Sequence, residues 1–316
     1  MQQQTRTIAG MYKLRDWIKE EDLDFHKLSM NTHPAAMALI SENINRAWWP
    51  WLSSNPSSLE LTMWISEKID WNEFSSNTND TAVDFLISHP EKINWRKFSA
   101  NSNPKAVEFL YKNLRKISWP HLFKNPGAVW LFENQEMDIA DMQNLAANPA
   151  MIHIIRAHMD EFLQAYPDPS CQELFWHNLS QNPAAIDIIE KYPDCVDWNA
   201  VCRMPEAISL IEKKLDTYFA TSNSKDAEKY FQYGIMSGLS KNPAAIDILH
   251  RLAKRNIKDL SNLSANPAIF TYDYEAIRND PERSAINDEF MATFWNPERV
   301  MKMRERAGEY ASVLAL

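Results

Sequence analysis

Glycine and cysteine are scarce in this chain. Five glycines (Gly10, Gly127, Gly234, Gly238 and Gly308) serve 316 residues. None has the neighbours of a Gly-x-Gly-x-x-Gly or Walker loop, so backbone cradles for nucleotide phosphates of those two kinds are excluded. The cysteines Cys171, Cys195 and Cys202 are odd in number. They predict reduced thiols in a cytosolic compartment and no disulfide framework. Long apolar runs are missing too. No stretch approaches the roughly 20 residues that span a bilayer, and the start, MQQQTRTIAGMYKLRDW, lacks the apolar core of a signal peptide. A cytoplasmic protein with no membrane partner is expected. There is no excess of positive charge: 33 Lys and Arg face 42 Asp and Glu, a net charge of −9. The chain as a whole is therefore not built to bind nucleic acid.

What the chain does have is tryptophan, asparagine and proline in register. A pattern of aromatic-x-x-(Leu/Phe)-Ser-x-Asn-Pro followed by a short apolar segment recurs with centres at Leu28, Leu52, Phe74, Phe98, Leu122, Leu145, Leu179, Val201, Leu239 and Leu263. Most centres are 22 to 24 residues apart, and two gaps are longer, 34 and 38. Three residues before each centre stand Phe25, Trp49, Trp71, Trp95, Trp119, Met142, Trp176, Trp198, Met236 and Leu260. Serine follows the centre in seven repeats, and asparagine stands three residues after it in nine. The eighth repeat has Cys202 and Met204 in those two places.

The physics of one repeat is readable. Asn before Pro starts a helix, because the side chain caps free N–H groups and Pro needs none at the first position. Residues 183–192, PAAIDIIEKY, then give a short helix with Ala185, Ile186 and Ile189 on its apolar side. A second start at Asp197 places Trp198 and Val201 on one face of a shorter helix. Isolated helices this short are marginal in water, so neighbouring repeats must stack to bury their apolar columns. The expected fold is all-α: an α-solenoid of about ten 22–24-residue two-helix repeats with N- and C-terminal helical caps. A curved rod of about 80–100 Å follows from roughly 8–10 Å per packed layer. The expected divisions are an N-terminal cap helix over 1–22, the repeats over 23–267 and a C-terminal helical cap over 268–316. Inserts near 157–175 and 212–232 account for the two long gaps. In the N-terminal cap, Met11, Leu14, Trp17 and Ile18 share a helical spacing.

The ladder resembles the tandem short repeats of proteins from giant DNA viruses and some large phages, written loosely Leu-Ser-x-Asn-Pro-x-Ala-Ile-x-Leu-Leu-x-x-x-Pro-x-x-Ile-x-Trp. The nearest copies here are LSQNPAAIDIIEKYPDCVDW at 179–198 and LSKNPAAIDIL at 239–249. The ending is similar as well, with NPAIFTYDYEAI at 266–277 and FWNPERVMKM at 294–303. The resemblance covers about 23–303. It implies a helical-repeat fold and a viral source, and it implies no reaction.

No catalytic constellation emerges. The abundant serines sit in the ladder, where capping is their default role. Asp70 and Asp197, with Asn94 and Ser118, stand before the tryptophan column as helix caps. Cys195 and Cys202, or His153 and His158, do not have metal-ligand spacing, so neither a metal nor a cofactor is expected. Cys202 reads as a packed small residue.

Charge gives one candidate site. Between Lys92 and Lys124 lie eight basic residues, Lys92, Arg96, Lys97, Lys105, Lys112, Arg115, Lys116 and Lys124, opposed only by Glu108. Repeats four and five thus form a basic band in an acidic chain. The band reads either as a patch for an acidic protein surface, nucleic-acid backbone or nucleotide phosphate, or as ordinary solvated helix faces. The six ladder tryptophans belong to the core, which leaves Trp48, Trp51, Trp64, Trp130 and Trp295 as the aromatics most available to a partner. The favoured expectation is a non-enzymatic protein that binds a host or viral protein, as an adaptor or an inhibitor of a host defence factor. Nucleotide or nucleic-acid binding through the band and a virion structural role are the alternatives. An enzyme would need its site where the inserts meet the repeat wall.

Overall fold

The computed structural model describes residues 10–132, 139–221, 235–254 and 262–279. The chain forms two compact bodies, a large one of Leu14–Phe270 and a small one of Met1–Lys13 with Thr271–Leu316. The described residues are mostly helical, with two three-residue strands. None of their helices is long and apolar enough to cross a membrane.

In the large body most repeats open with a short helix, such as Trp71–Phe74 or Trp95–Ser99. Asp24, Asp70, Asn94 and Asp197 cap theirs, whereas Ser118, expected as a cap, does not, its hydroxyl being bonded to His121 Nδ1 instead. Asp70 accepts from the N–H groups of Asn72 and Glu73, and Asp197 from those of Asn199 and Ala200. An Asn turn follows, then a longer helix such as Asp80–Ser88 or Pro104–Tyr111. In the Asn-Pro repeats that longer helix often starts as a 3-10 turn. Pro183–Ala185 precedes Ile186–Lys191, for example. There Ala185 and Ile189 are fully buried and Ile188, rather than Ile186, completes the apolar side. A further 3-10 turn, as at Pro90–Lys92, leads into the next repeat. The centres form the spine of the core, since Leu28, Leu52, Phe74, Phe98, Leu122, Leu145, Leu179, Val201 and Leu239 are all wholly buried. Burial of each such side chain contributes about 1.5–3 kcal/mol.

The asparagine column is the main polar link between repeats. Asn101 is buried, and its Oδ1 accepts from the N–H of Asn103 two residues on. Its Nδ2 donates to the carbonyls of Ser75 (3.2 Å) and Asn77 (2.9 Å) in the preceding repeat. Asn55, Asn77, Asn125, Asn148, Asn242 and Asn266 donate in the same paired way. The serine column adds a second link. Ser75 Oγ donates to the Trp71 carbonyl one turn back and accepts from the Asn94 N–H of the next repeat. A polar residue can be wholly buried here because its hydrogen-bonding groups are satisfied. The eighth repeat, with Met204 in the Asn column, has no such amide to give.

The ladder has no free end. Asn31 of the first repeat donates to the carbonyls of Ser264 (2.9 Å) and Asn266 (3.0 Å) in the last. The Asp24 N–H donates to Ser264 Oγ at 2.9 Å, and Trp17 stacks on His250 with ring centres 5.3 Å apart. The expected curved rod with capped ends is thereby corrected, because the first repeat takes the last as its preceding neighbour.

The expected terminal caps are corrected as well. Residues 11–18 form no helix. Strand β1 (Tyr12–Leu14) pairs with β2 (Phe270–Tyr272), and a 3-10 turn covers Glu20–Asp22. Within the small body Tyr12 stacks on Tyr272 at 4.9 Å, and the Asp273 N–H donates to the Met11 carbonyl at 2.8 Å. Strand pairing outweighs the weak helical spacing of so short a segment. Of the expected C-terminal helices, the described part holds β2 and the helix Tyr274–Asn279, and the remainder lies outside the described residues. The insert near 157–175 lengthens existing helices, Ile152–Ala165 and Pro169–Leu179. The second insert begins in the helix Ile208–Thr221, and its later residues lie outside those described.

Candidate binding surface

The structure divides the eight basic residues of the band among different contacts. Lys97 Nζ pairs with Glu73 at 2.5 Å, and Lys105 with Asp84 at 2.6 Å. Lys112 pairs with Glu108 at 2.6 Å. Lys92 lies 4.1 Å over the Trp71 ring and Lys116 4.6 Å over Trp95. Lys124 donates to Asn178 Oδ1 at 2.8 Å, and partial burial holds its ammonium below the usual lysine range. Arg96 Nε donates to His121 Nε2 at 2.9 Å. His121 Nδ1 therefore carries the proton, and donates to Ser118 Oγ at 2.9 Å. Burial first, then the charges of Arg96 and Lys124, keeps this imidazole below its ordinary pKa. Arg115 is exposed and makes no ion pair among the described residues.

Along the chain only Glu108 opposes these cations. Stacking brings residues 21 to 24 apart side by side, so Asp84 and Glu73 of the third repeat face Lys105 and Lys97 of the fourth. The sequence did carry that signal, as opposite charges one repeat apart. It also carried a column of cations three residues before the ladder aromatics, at Arg46, Lys68, Lys92 and Lys116. These sit over Phe25, Trp49, Trp71 and Trp95 of the preceding repeat. The tryptophan column is correspondingly less buried than expected. Trp49, Trp71, Trp95 and Trp119 are half-buried. Trp176 and Trp198 are buried, their indole N–H groups bonded to Gln172 Oε1 and the Pro193 carbonyl.

Aromatic surface remains at the outer end of the band. Tyr111 ends the helix Pro104–Tyr111, and Trp130 lies in the 3-10 segment Pro126–Leu131 of the next repeat. Their ring centres are 5.3 Å apart, yet the residues are 54% and 49% exposed. Leu114, also exposed, and Arg115 follow Tyr111 closely in the chain. Elsewhere Trp64 is 72% exposed, Trp48 stands exposed between His26 and Trp51, and Trp295 lies outside the described residues.

Where the second insert begins, its helix and the helix Ile246–Lys254 line a pocket of about 290 Å³. Glu212, Asp216 and Arg251 supply its charge, and Arg251 Nη2 pairs with Glu212 at 2.7 Å. The pocket has no nucleophile beside a base. No cluster of three His, Cys, Asp or Glu side chains that would hold a metal occurs among the described residues. Cys202 is buried, and its thiol is pushed up to about 12, first by burial and then by Asp197.

No family model, curated protein or solved structure matches this chain.

Proposed function

We propose that this is a non-enzymatic binding protein, a closed α-solenoid whose outer edge at repeats four and five docks an acidic segment of another protein. The observation that carries this reading is the exposed Tyr111–Trp130 pair, with exposed Arg115 four residues after Tyr111 in the chain and in no ion pair among the described residues. Tyrosine, tryptophan and arginine dominate the energetics of protein interfaces. Contiguous exposed aromatic surface marks interaction sites. A cation so near Tyr111 in the chain favours negative charge and speeds encounter. The resemblance to viral repeat proteins makes a host protein the natural target, bound in the cytoplasm by an adaptor or by an inhibitor of a defence factor. Nucleic acid is the weaker reading, because most cations of the band already have carboxylate or aromatic partners.

The test is paired affinity capture from host cells with the native chain and with Tyr111→Ala/Arg115→Glu/Trp130→Ala. The reading expects at least one protein captured only by the native chain. Its purified form should bind at least tenfold more tightly to the native chain than to the triple variant, and more weakly as salt rises. An identical captured set from both chains, with both folded by circular dichroism, overturns it.

A further inference from the structure

Two stretches of the basic band share one four-residue pattern, Arg-Lys-x-Ser, at 96–99 and at 115–118. The fold treats the two serines differently. Ser99 is wholly buried, its hydroxyl donating to the Trp95 carbonyl at 2.6 Å and accepting from the Ser118 N–H at 3.0 Å. Ser118 is half-buried. It follows the 3-10 turn Leu114–Lys116, and Ile117 and Ser118 are in extended backbone. Arg115 and Lys116 before it are exposed. The hydroxyl of Ser118 accepts from His121 Nδ1 at 2.9 Å, and His121 Nε2 accepts from Arg96 Nε at 2.9 Å. Three side chains from two repeats are thus joined by two hydrogen bonds. A guanidinium ordinarily grips an oxyanion with two parallel bonds. Arg96, exposed and in no ion pair among the described residues, holds a neutral ring instead. In their own repeats Asp24, Asp70 and Asp197 stand where Ser118 stands, so the ladder accepts a full negative charge at that place.

We propose that Ser118 is a phosphorylation site for a basophilic serine kinase, and that Arg96 and His121 receive the phosphate. Kinases choose substrates by the charge pattern around the acceptor. Arg115 and Lys116 place two exposed cations three and two residues before this hydroxyl. In the reaction Ser118 Oγ forms a bond to the γ-phosphorus of ATP held by the kinase. The bond from that phosphorus to the bridging oxygen breaks, and ADP leaves with the electron pair. The hydroxyl proton passes to the kinase's catalytic carboxylate. The product carries a charge of about −1.5 to −2 and three acceptor oxygens. His121 Nδ1 already donates to the modified oxygen, so its N–H lies beside the new phosphate. At present burial, then the charges of Arg96 and Lys124, keeps the ring neutral, and a neighbouring dianion opposes all three. A protonated Nε2 no longer accepts, which releases Arg96 to grip phosphate oxygens. The site does not rest on the docking reading of the Tyr111–Trp130 edge.

The test is incubation of the full folded chain with ATP and the catalytic subunit of cyclic-AMP-dependent protein kinase, with modified residues mapped by tandem mass spectrometry. Phosphate is expected on Ser118 and not on Ser99. Ser99 is the internal control, because a kinase acting on unfolded chains meets the same pattern twice and marks both serines. Arg115→Ala should slow incorporation at Ser118 about tenfold or more. The phosphorylated chain should melt no lower than the unmodified one. Its His121 titration midpoint, followed by NMR, should rise by about one pH unit or more. Absence of phosphate on Ser118, or equal modification of Ser99 and Ser118, overturns the proposal. So does a phosphorylated chain that melts lower or whose His121 titration has not moved.

Discussion

Asn31 donates its side-chain amide to the main-chain carbonyl of Asn266 at 3.0 Å, across 235 residues of chain. Asn101 makes the same bond to Asn77 at 2.9 Å, across 24 residues. Identical geometry at such different separations means that the first repeat is an interior repeat of the ladder. Replacing Asn101 by alanine strands two buried carbonyls and one N–H. Replacing Asn31 strands the Ser264 carbonyl and the His33 N–H, while the Asn266 carbonyl keeps the Ile269 N–H at 3.3 Å. Each group left unsatisfied costs about 1–3 kcal/mol, so Asn101→Ala should lower stability by about 3 kcal/mol or more in urea unfolding and Asn31→Ala by about 2 kcal/mol or more. A negligible effect at Asn31 beside a large one at Asn101 would mark a free end.

Gly238 lies in the ninth short helix, where alanine would ordinarily gain about 1 kcal/mol of helix propensity. Here a Cβ would stand 2.1 Å from the Asn199 carbonyl oxygen and 2.9 Å from Cys202 Cβ. Overpacking of this kind costs about 1–3 kcal/mol or more, so the steric effect wins. Gly238→Ala should melt well below the native chain. An unchanged or raised melting temperature would show that the eighth and ninth repeats are not in such contact.

His33 supplies a pH dependence. Its Nδ1 accepts from the Ala35 N–H at 3.1 Å and caps the helix Pro34–Glu42, while burial holds its pKa below the ordinary 6.5. The folded chain favours the neutral ring, so below about pH 6.5 the unfolded chain binds more protons. The contribution of His33 is complete above that value and is lost as pH falls through the lowered folded value. The equivalent positions in repeats three and four are Asn79 and Asn103, which cap without titrating. His33→Asn should therefore gain stability relative to the native chain as pH falls from 7.5 to 5. Parallel melting curves for the two chains over that range would exclude the role.

The three cysteines should differ in reactivity. Cys171 and Cys195 are exposed and Cys202 is buried. Burial and then Asp194 raise Cys195, and Cys202 is pushed to about 12. Since the thiolate is the reacting form, iodoacetamide at pH 8 should modify Cys171 first, Cys195 more slowly and Cys202 only after unfolding. Modification of Cys202 in the folded chain would contradict the packing of the eighth repeat.

The repeat pattern made the centres, the Asn caps and the serine bonds legible, because each recurs in register and answers a local need of the backbone. Closure was not legible. A periodic sequence specifies how one repeat meets the next, and Asn31 looks like any other member of its column. The basic band misled for a related reason. Along the chain the cations have almost no acidic neighbours, whereas across the stack Lys97 meets Glu73 and Lys105 meets Asp84. The half-exposed tryptophans follow from the same omission, since the cations that lie over them belong to the following repeat. The strand at Tyr12–Leu14 depends on a partner more than 250 residues away, which no local spacing announces.

Amide hydrogen exchange at Asp24 tests the closed ladder most directly. Its N–H donates to Ser264 Oγ at 2.9 Å, as the N–H of Asn94 does to Ser75 Oγ and that of Asp197 to Ser180 Oγ. A closed ladder predicts that Asp24 is protected to the same order as Asn94 and Asp197, and that Ser264→Ala removes this protection at Asp24 while sparing Asn94. Rapid exchange at Asp24 in the native chain, with Asn94 and Asp197 protected, would contradict it.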